Sequence, residues 1–390
     1  MAADHTVYIK HVFLPRWLSD QHDQLCLFLK QAARFPLCVL ILFLSLLSFS
    51  THAEKISYSQ LVDGDIITVT LDQLLPTQAV MSYDKEYALL YHYKKNEKNV
   101  FGALCKLNGG GKLKKWDENS SPTDLESYTC SKKLGSQTSD LASVIVGPEE
   151  GLLYLTTQHH ILSSFWDMPN GGTSVPIKLK VTFNLLGSGD DFWPEMNNDN
   201  EVWLYNHKGK KISPSDLPDY IGSKQLKEDK YLSLAYFLQG ISYDLPQKKK
   251  DPNTKAPYQR VPYLALQWSL TLREKMNADD YNFNNRDEYA AALAEAATVM
   301  VDLASDEKVG KTDLPATAMG QFSEVDSKAL ETMLTSKKSE WYFATEYRIE
   351  KKKKSTPKKL LEEQEKAKQA STESSNKEKE KTNGTKEDDK

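Results

Sequence analysis

The segment Gly151-Leu-Leu-Tyr-Leu-Thr-Thr-Gln-His-His-Ile-Leu-Ser-Ser-Phe-Trp166 reads as a short buried strand that runs into a helix. Residues 152–156 are apolar and β-prone, and apolar side chains then recur at helical spacing. We expect Thr156 or Thr157 to cap the helix, which leaves the backbone N–H groups of residues 158–160 free at the positive end of the helix dipole. Such a turn can hold a phosphate or a carboxylate. The simpler alternative is a turn whose two histidines only begin a helix.

An apolar run, residues 35–50, follows Arg34 and ends before Thr51-His52-Ala53. A basic flank, a short apolar core and small residues after it are the layout of a secretory signal, so residues 1–53 are predicted to be a signal peptide cleaved after Ala53. The run is shorter than the roughly 20 residues that a membrane-spanning helix needs. We therefore expect a periplasmic or secreted protein. The alternative is an uncleaved signal anchor in the inner membrane, and only then would the membrane be a partner.

The four cysteines divide between the signal and the mature chain. Cys26 and Cys38 leave with the signal, which keeps Cys105 and Cys130 in an oxidising compartment. An even number of cysteines there predicts a disulfide between these two, and the alternative is a pair of free buried thiols. Two isolated cysteines are too few for a metal site, and no zinc spacing or P-loop is present, so no metal site is predicted and the cofactor is left unknown.

Charge is distributed unevenly along the chain. Residues 1–53 carry 4 basic and 3 acidic residues and residues 351–390 carry 13 and 9; from totals of 50 and 54, this leaves 33 Lys and Arg against 42 Asp and Glu in residues 54–350. An acidic body disfavours an extensive DNA-binding surface, which needs many basic contacts to phosphates. The segment 351–390 has no aromatic residue and is rich in Lys, Glu, Ser and Thr, so we predict a disordered charged tail.

The order of the secondary-structure patterns predicts the fold class. Residues 177–185 alternate strictly between apolar and polar side chains, which is typical of a half-buried strand. From Asp216 onward the patterns are helical. The clearest is an amphipathic helix in residues 285–303, capped by Asn285, and a last helix is expected over residues 325–343. Mixed strands followed by packed helices favour the α+β class with a C-terminal helical extension.

Four segments carry a combined signal: Thr70-Leu-Asp-Gln-Leu-Leu-Pro-Thr-Gln78 followed by Tyr83-Asp84, Leu153-Tyr-Leu-Thr-Thr-Gln-His-His-Ile-Leu162, Tyr231-Leu-Ser-Leu-Ala-Tyr-Phe237 and Pro262-Tyr-Leu-Ala-Leu-Gln-Trp268. In this order and spacing they resemble the ParB-like nuclease family of the ParB/sulfiredoxin superfamily. The resemblance covers roughly residues 70–273. It implies a ParB/sulfiredoxin-like mixed sheet with helices, which we assign to residues 54–275, and it leaves residues 276–350 as the helical extension before the tail.

The resemblance also implies a site. In that family the strand-to-helix turn usually reads Asp-Gly-His-His-Thr, and the superfamily uses this turn for phosphate. By resemblance, Thr157, Gln158, His159 and His160 would contact a phosphate, with Gln78 and Tyr83 facing them across a cleft. One of the two histidines would serve as general acid or base, and the pattern does not say which.

Two residues of the turn depart from the family. Thr157 and Gln158 stand where the family has Asp and Gly. The loss of Gly removes the closest backbone approach to a ligand, and the loss of Asp removes an acid, base or metal ligand. The sequence therefore supports two hypotheses. The first is an exported phosphoester hydrolase or nuclease that acts on a phosphorylated small molecule or a nucleic acid. The second is a non-catalytic exported module that keeps the fold and binds an anion or a protein.

Overall fold

The computed structural model describes residues 56–245 and 261–355. The predicted signal peptide, residues 1–53, lies outside the described residues, and so do residues 356–390 of the predicted tail. Within the described ranges the chain combines a mixed sheet with helices, which confirms the α+β class and the helical C-terminal extension.

Nine strands occur in the described part of the chain. In chain order they are β1 (Ile66–Thr70), β2 (Leu74–Pro76), β3 (Val80–Met81), β4 (Leu113–Lys115), β5 (Thr129–Cys130), β6 (Ala142–Val146), β7 (Leu153–Leu155), β8 (Pro176–Asn184) and β9 (Lys227–Glu228). Five of them form the main sheet in the order β1-β8-β6-β7-β2. The β1–β8 and β6–β7 pairs are antiparallel, whereas β6–β8 and β2–β7 are parallel, so the sheet is mixed.

Nine α-helices occur in the same ranges. They are α1 (Tyr83–Lys95), α2 (Lys98–Leu107), α3 (His159–Asp167), α4 (Phe192–Asn198), α5 (Lys230–Leu238), α6 (Leu264–Lys275), α7 (Arg286–Asp302), α8 (Ser327–Thr335) and α9 (Glu340–Ser355). None of these helices combines the length and the apolar composition that a membrane span requires. The amphipathic helix predicted in residues 285–303 is α7, and its cap is the predicted Asn285, whose side chain accepts the N–H groups of Asp287 and Glu288.

Strand β8 shows where the alternation rule holds and where it stops. Ile177, Leu179 and Val181 are fully buried, as the pattern predicts. Phe183 is 44% exposed, however, because β8 contains one extra residue at this point: Val144 pairs with Val181, but the next residue of β6 pairs with Phe183. A bulge of this kind shifts the following side chains to the other face of a sheet. The strand predicted from the alternation is therefore confirmed, but its buried face does not extend to Phe183.

The single last helix predicted over residues 325–343 is instead two helices, α8 and α9. The side chain of Ser339 accepts the backbone N–H of Tyr342 and so starts α9 anew. Helix α9 continues to Ser355, five residues into the segment that was predicted to be a tail. Lys351 holds this last turn, because its Nζ donates to the Tyr87 hydroxyl at 2.9 Å and lies 4.7 Å from the centre of that ring.

Helix α9 packs on α1 through a buried ion pair as well as aromatic rings. Arg348 binds Asp84 with both Nε and Nη2, and the Tyr289 hydroxyl of α7 donates to the same carboxylate at 2.8 Å. Asp84 is fully buried. The C-terminal helix is thus fixed to the first helix by a charge pair whose two residues are 264 positions apart in sequence. The positions of α1 and α3, which carry the candidate site, depend on this packing.

The predicted disulfide between Cys105 and Cys130 is present. Cys105 is fully buried in α2, and its Cα lies 5.5 Å from the Cα of Cys130 in β5. The bond closes a loop with a sequence separation of 25 and ties the β4–β5 hairpin to α2.

Removal of the disulfide is expected to lower the free energy of unfolding by about 3 kcal/mol, because a loop of this length restricts the unfolded chain. The measurement is urea unfolding of Cys105→Ala/Cys130→Ala beside the oxidised wild type. Dithiothreitol should weaken the wild type by a similar amount and leave the double variant unchanged. An oxidised wild type whose free energy of unfolding equals that of the double variant and does not change on reduction would contradict this expectation.

Candidate functional site

The strand-to-helix turn lies beside the end of a second strand. Strands β7 and β2 are parallel, with Leu74 opposite Leu153 and Pro76 opposite Leu155. Parallel strands end at the same edge of a sheet, so Thr77 and Gln78 leave the sheet next to the turn at residues 156–158. The fold therefore brings together two segments that are far apart in sequence: Thr77 and His159, which share a hydrogen bond, are separated by 82 positions.

Neither Thr156 nor Thr157 caps α3, so that prediction is wrong. The Thr157 hydroxyl accepts the N–H of Ser143 at 2.8 Å, and the Thr156 hydroxyl donates to the carbonyl of the same residue at 3.3 Å. Both threonines thus bind β6. The N-cap is Gln158, which has a φ of 62° and whose side chain makes no capping bond. A left-handed backbone suits glycine best, which agrees with the Gly that the family resemblance implies at this position.

His159 is a buried hydrogen-bond acceptor. It is 3% exposed, and its Nε2 accepts the backbone N–H of Thr77 at 3.3 Å. Burial lowers the pKa of His159 from 6.5 to about 3, against a smaller opposite effect of the Leu155 carbonyl. The ring is therefore neutral at physiological pH, and with Nε2 as the acceptor its proton sits on Nδ1.

His160 is held in the same way from the neighbouring helix. Its Nε2 accepts the backbone N–H of Ser82, the N-cap of α1, at 2.9 Å. Burial, then Lys85 and then His159 lower the pKa of His160 well below its usual value. Both histidines therefore tie the turn to β2 and α1 through their Nε2 atoms. In this arrangement neither carries the extra proton that a general acid would donate.

A cavity of about 700 Å³ opens at the turn. Its lining includes Gln78, residues 156–160, Lys85 and the polar residues Asp199, Asn200 and Glu201. In α3 the first backbone hydrogen bond goes from Leu162 to the carbonyl of Gln158, so the N–H groups before Leu162 have no helical acceptor. The cavity thus joins a helix N-terminus to a polar wall.

Lys85, like Asp199 and Glu201, is a residue of this cavity that could not be singled out from the sequence. It lies in the first turn of α1, and its Nζ is 4.4 Å from the centre of the Tyr236 ring. None of the ion pairs within residues 56–245 and 261–355 involves Lys85. Burial lowers its pKa, and the nearby charge of Glu340 opposes this effect. The only hint in the sequence is its position three residues after the cap Ser82.

The two residues expected to face the histidines are placed differently. Gln78 lines the cavity and is anchored there, since its Nε2 donates to the carbonyl of Val80 at 2.7 Å. Tyr83 does not line it: its hydroxyl contacts the carbonyls of Ser223 at 2.6 Å and Leu226 at 3.1 Å. The structure therefore brings Gln78, Thr157, Gln158, His159 and His160 together and leaves Tyr83 outside.

Metal-ligating side chains do not converge at the cavity. Within the described part of the chain, no three His, Cys, Asp or Glu side chains are close enough to hold one metal ion. The pair Asp199 and Glu201 supplies two carboxylates at most on its wall.

Comparison with known proteins gives the family. No curated protein matches the chain. The chain is similar to the crystal structure of protein Atu1540 from Agrobacterium tumefaciens, with 17% sequence identity over 61% of this chain and 93% of that chain and a TM-score of 0.39. The sequence profile described as "Putative ParB-like nuclease" matches residues 67–274, more than half of the chain, and confirms the resemblance seen in the sequence. The chain therefore belongs to the ParB-like nuclease family.

Proposed function

We propose that this chain is an exported ParB-like protein whose cavity binds a phosphate group at the start of α3. The observation that carries the proposal is the position of Lys85, a partly buried cation that lines one cavity together with the free N–H groups at the start of α3. An anion placed between them would receive hydrogen bonds from the helix and a charge partner from Lys85. A phosphate group supplies both the charge and several acceptor oxygens.

The acidic part of the lining favours a small ligand. Asp199 is exposed, and it lines the same cavity as Lys85 and Glu201. Residues 54–350 also carry an excess of acidic residues, as counted above. A long polyanion would meet repulsion there, whereas a single phosphate with hydroxyl or amine groups could place those groups against the exposed carboxylate of Asp199. We therefore favour a phosphorylated small molecule over a nucleic acid.

Hydrolysis of a phosphoester is the second candidate, and family membership favours it. The geometry supports binding better than hydrolysis by histidine, because each Nε2 already accepts a backbone N–H. Thr157 also cannot replace the family Asp as an acid or base, and its hydroxyl is used by Ser143. A hydrolytic role would require a ligand to displace Ser82 from His160 or to use the Nδ1 atom.

Export rests on two independent features. The disulfide between Cys105 and Cys130 is of the kind that persists in oxidising compartments. The apolar run at residues 35–50 has the layout of a signal, although it lies outside the described residues.

The test is binding of inorganic phosphate and of a nucleoside monophosphate by the full mature chain, measured by calorimetry and by thermal shift. We expect Lys85→Met to weaken binding at least tenfold, which corresponds to about 1.4 kcal/mol. Lys106→Met is the matched control, because Lys106 is an exposed lysine on α2, and it should bind like the wild type. Equal binding by Lys85→Met and wild type would refute the site, as would the absence of any shift with wild type.

A parallel assay separates the two candidates. Hydrolysis of phosphoesters and of single-stranded DNA is measured with and without divalent metal ions. Turnover by the wild type that is lost in His160→Ala but retained in His207→Ala, an exposed histidine, supports catalysis. Binding without turnover supports the non-catalytic module.

A further inference from the structure

A second buried cluster of ionisable groups lies between α1, α3 and α9, outside the cavity. Its centre is Glu86, the residue after Lys85 in α1, which is fully buried. No N–H or O–H donor in residues 56–245 and 261–355 reaches either of its carboxyl oxygens. Asp167, a second carboxyl group at the end of α3, is the side chain positioned to share a proton with Glu86.

Asp167 has the donors that Glu86 lacks. Its Oδ2 accepts both the backbone N–H and the hydroxyl of Ser223, each at 2.7 Å. Asp167 is thus an acceptor towards both donors of Ser223. Two carboxylates in contact without a cation between them would repel strongly in a buried site, so the contact needs one proton. Glu86, with no other donor, is the group that carries it.

The surrounding groups are consistent with one shared proton. The charged or titratable side chains that act on Glu86 or on the pair come from α1 and α9: Tyr83, Tyr87, Tyr347 and Lys351. Lys351 is the only cation among them, and its Nζ donates to the Tyr87 hydroxyl rather than to Glu86. Arg348, the next cation on α9, is engaged by Asp84 and Glu228. Burial and then Asp167 raise the pKa of Glu86 well above its usual value, and Lys351 opposes this.

We propose that Glu86 stays a neutral carboxylic acid in the fold and donates its proton to Asp167, so that this shared proton clamps α1 to the end of α3. The pair is a positioning device. Helix α1 carries Lys85 and helix α3 begins at the turn, so the clamp sets how far the cation lies from the helix N-terminus.

The clamp makes stability depend on pH in a definite direction. Above the usual pKa of a free glutamate, the unfolded chain has lost the proton while the folded chain keeps it. The contribution of Glu86 to stability is therefore largest at low pH and falls as pH rises towards the pKa in the fold. One proton bound only by the folded state shifts the unfolding equilibrium constant by at most tenfold per pH unit.

The experiment compares wild type with Glu86→Gln by urea unfolding between pH 5 and pH 8. The glutamine amide still donates to Asp167 but does not titrate, so wild type should lose stability relative to Glu86→Gln as pH rises, by up to tenfold in the equilibrium constant per unit. Glu118→Gln changes an exposed glutamate and should run parallel to the wild type. A constant difference between wild type and Glu86→Gln, or one of opposite slope, overturns the proposal.

Infrared spectroscopy of the wild type gives a reading that needs no stable variant. The folded chain should show the carbonyl stretching band of a protonated carboxyl group at neutral pH, and unfolding at the same pH should abolish it. Absence of this band in the folded wild type also overturns the proposal.

The consequence for ligand binding rests on the proposed function, whereas the clamp itself does not. If the clamp spaces Lys85 from the turn, phosphate affinity of the wild type should fall as pH rises through the range in which stability falls, and Glu86→Gln should remove this part of the pH dependence. If stability shows the expected pH dependence but the protein binds no phosphate, the proposed function is refuted and the proposal of a shared proton is not.

Discussion

Arg348→Ala is expected to lower the free energy of unfolding by about 3–5 kcal/mol, because it leaves a buried carboxylate without its cation. Asp84 is fully buried and Arg348 is 8% exposed. The guanidinium contacts Asp84 with two nitrogens and Glu228 with one, so its loss would expose two acids to each other. The Tyr289 hydroxyl, at 2.8 Å, would remain the only donor to Asp84 in the described part of the chain.

Urea unfolding measures this effect, and two further variants serve as references for its size. Lys308→Ala breaks an ion pair whose side chains are 64% and 95% exposed, and such pairs contribute at most about 1 kcal/mol. Arg348→Lys keeps the charge but cannot bind the carboxylate with two parallel bonds, so it should fall between wild type and Arg348→Ala. An Arg348→Ala variant as stable as Lys308→Ala would show that the pair is not buried in solution.

Patterns that depend on neighbouring residues could be predicted from the sequence. The turn from β7 to α3 follows from a β-prone run and helical spacing within about 16 residues, and the cap Asn285 precedes an amphipathic helix in the same local way. The disulfide followed from the even number of cysteines left after the predicted signal.

Features that depend on distant partners could not be predicted. Thr157 satisfies the local rule for a cap, but its hydroxyl is taken by Ser143 of a neighbouring strand. Asp84 and Arg348 are 264 residues apart, and no local pattern joins them. Lys85 and Glu86 are adjacent, yet α1 turns one towards the cavity and the other into the core. The role of each of these residues depends on which helices and strands pack together, and a single sequence does not show that packing.

Acid is expected to destabilise the fold through His159. Its pKa in the fold is about 3, whereas an unfolded chain has a value near 6.5. Stability from this group is complete above pH 6.5 and is lost as pH falls towards 3, because only the unfolded chain then binds the proton. A difference of this size corresponds to roughly 5 kcal/mol at the low end of the range.

Carboxylates also titrate below pH 5, so the informative quantity is the difference between wild type and His159→Gln from pH 7 to pH 4. The glutamine oxygen can accept the Thr77 N–H that Nε2 accepts, but it does not take up a proton in this range. We expect wild type to lose stability relative to His159→Gln as pH falls, while His207→Gln, at an exposed site, follows the wild type. Should His159→Gln keep the full acid sensitivity, His159 would be free to take up a proton within the fold. It would then return as a candidate general acid, and the balance between binding and hydrolysis would shift towards hydrolysis.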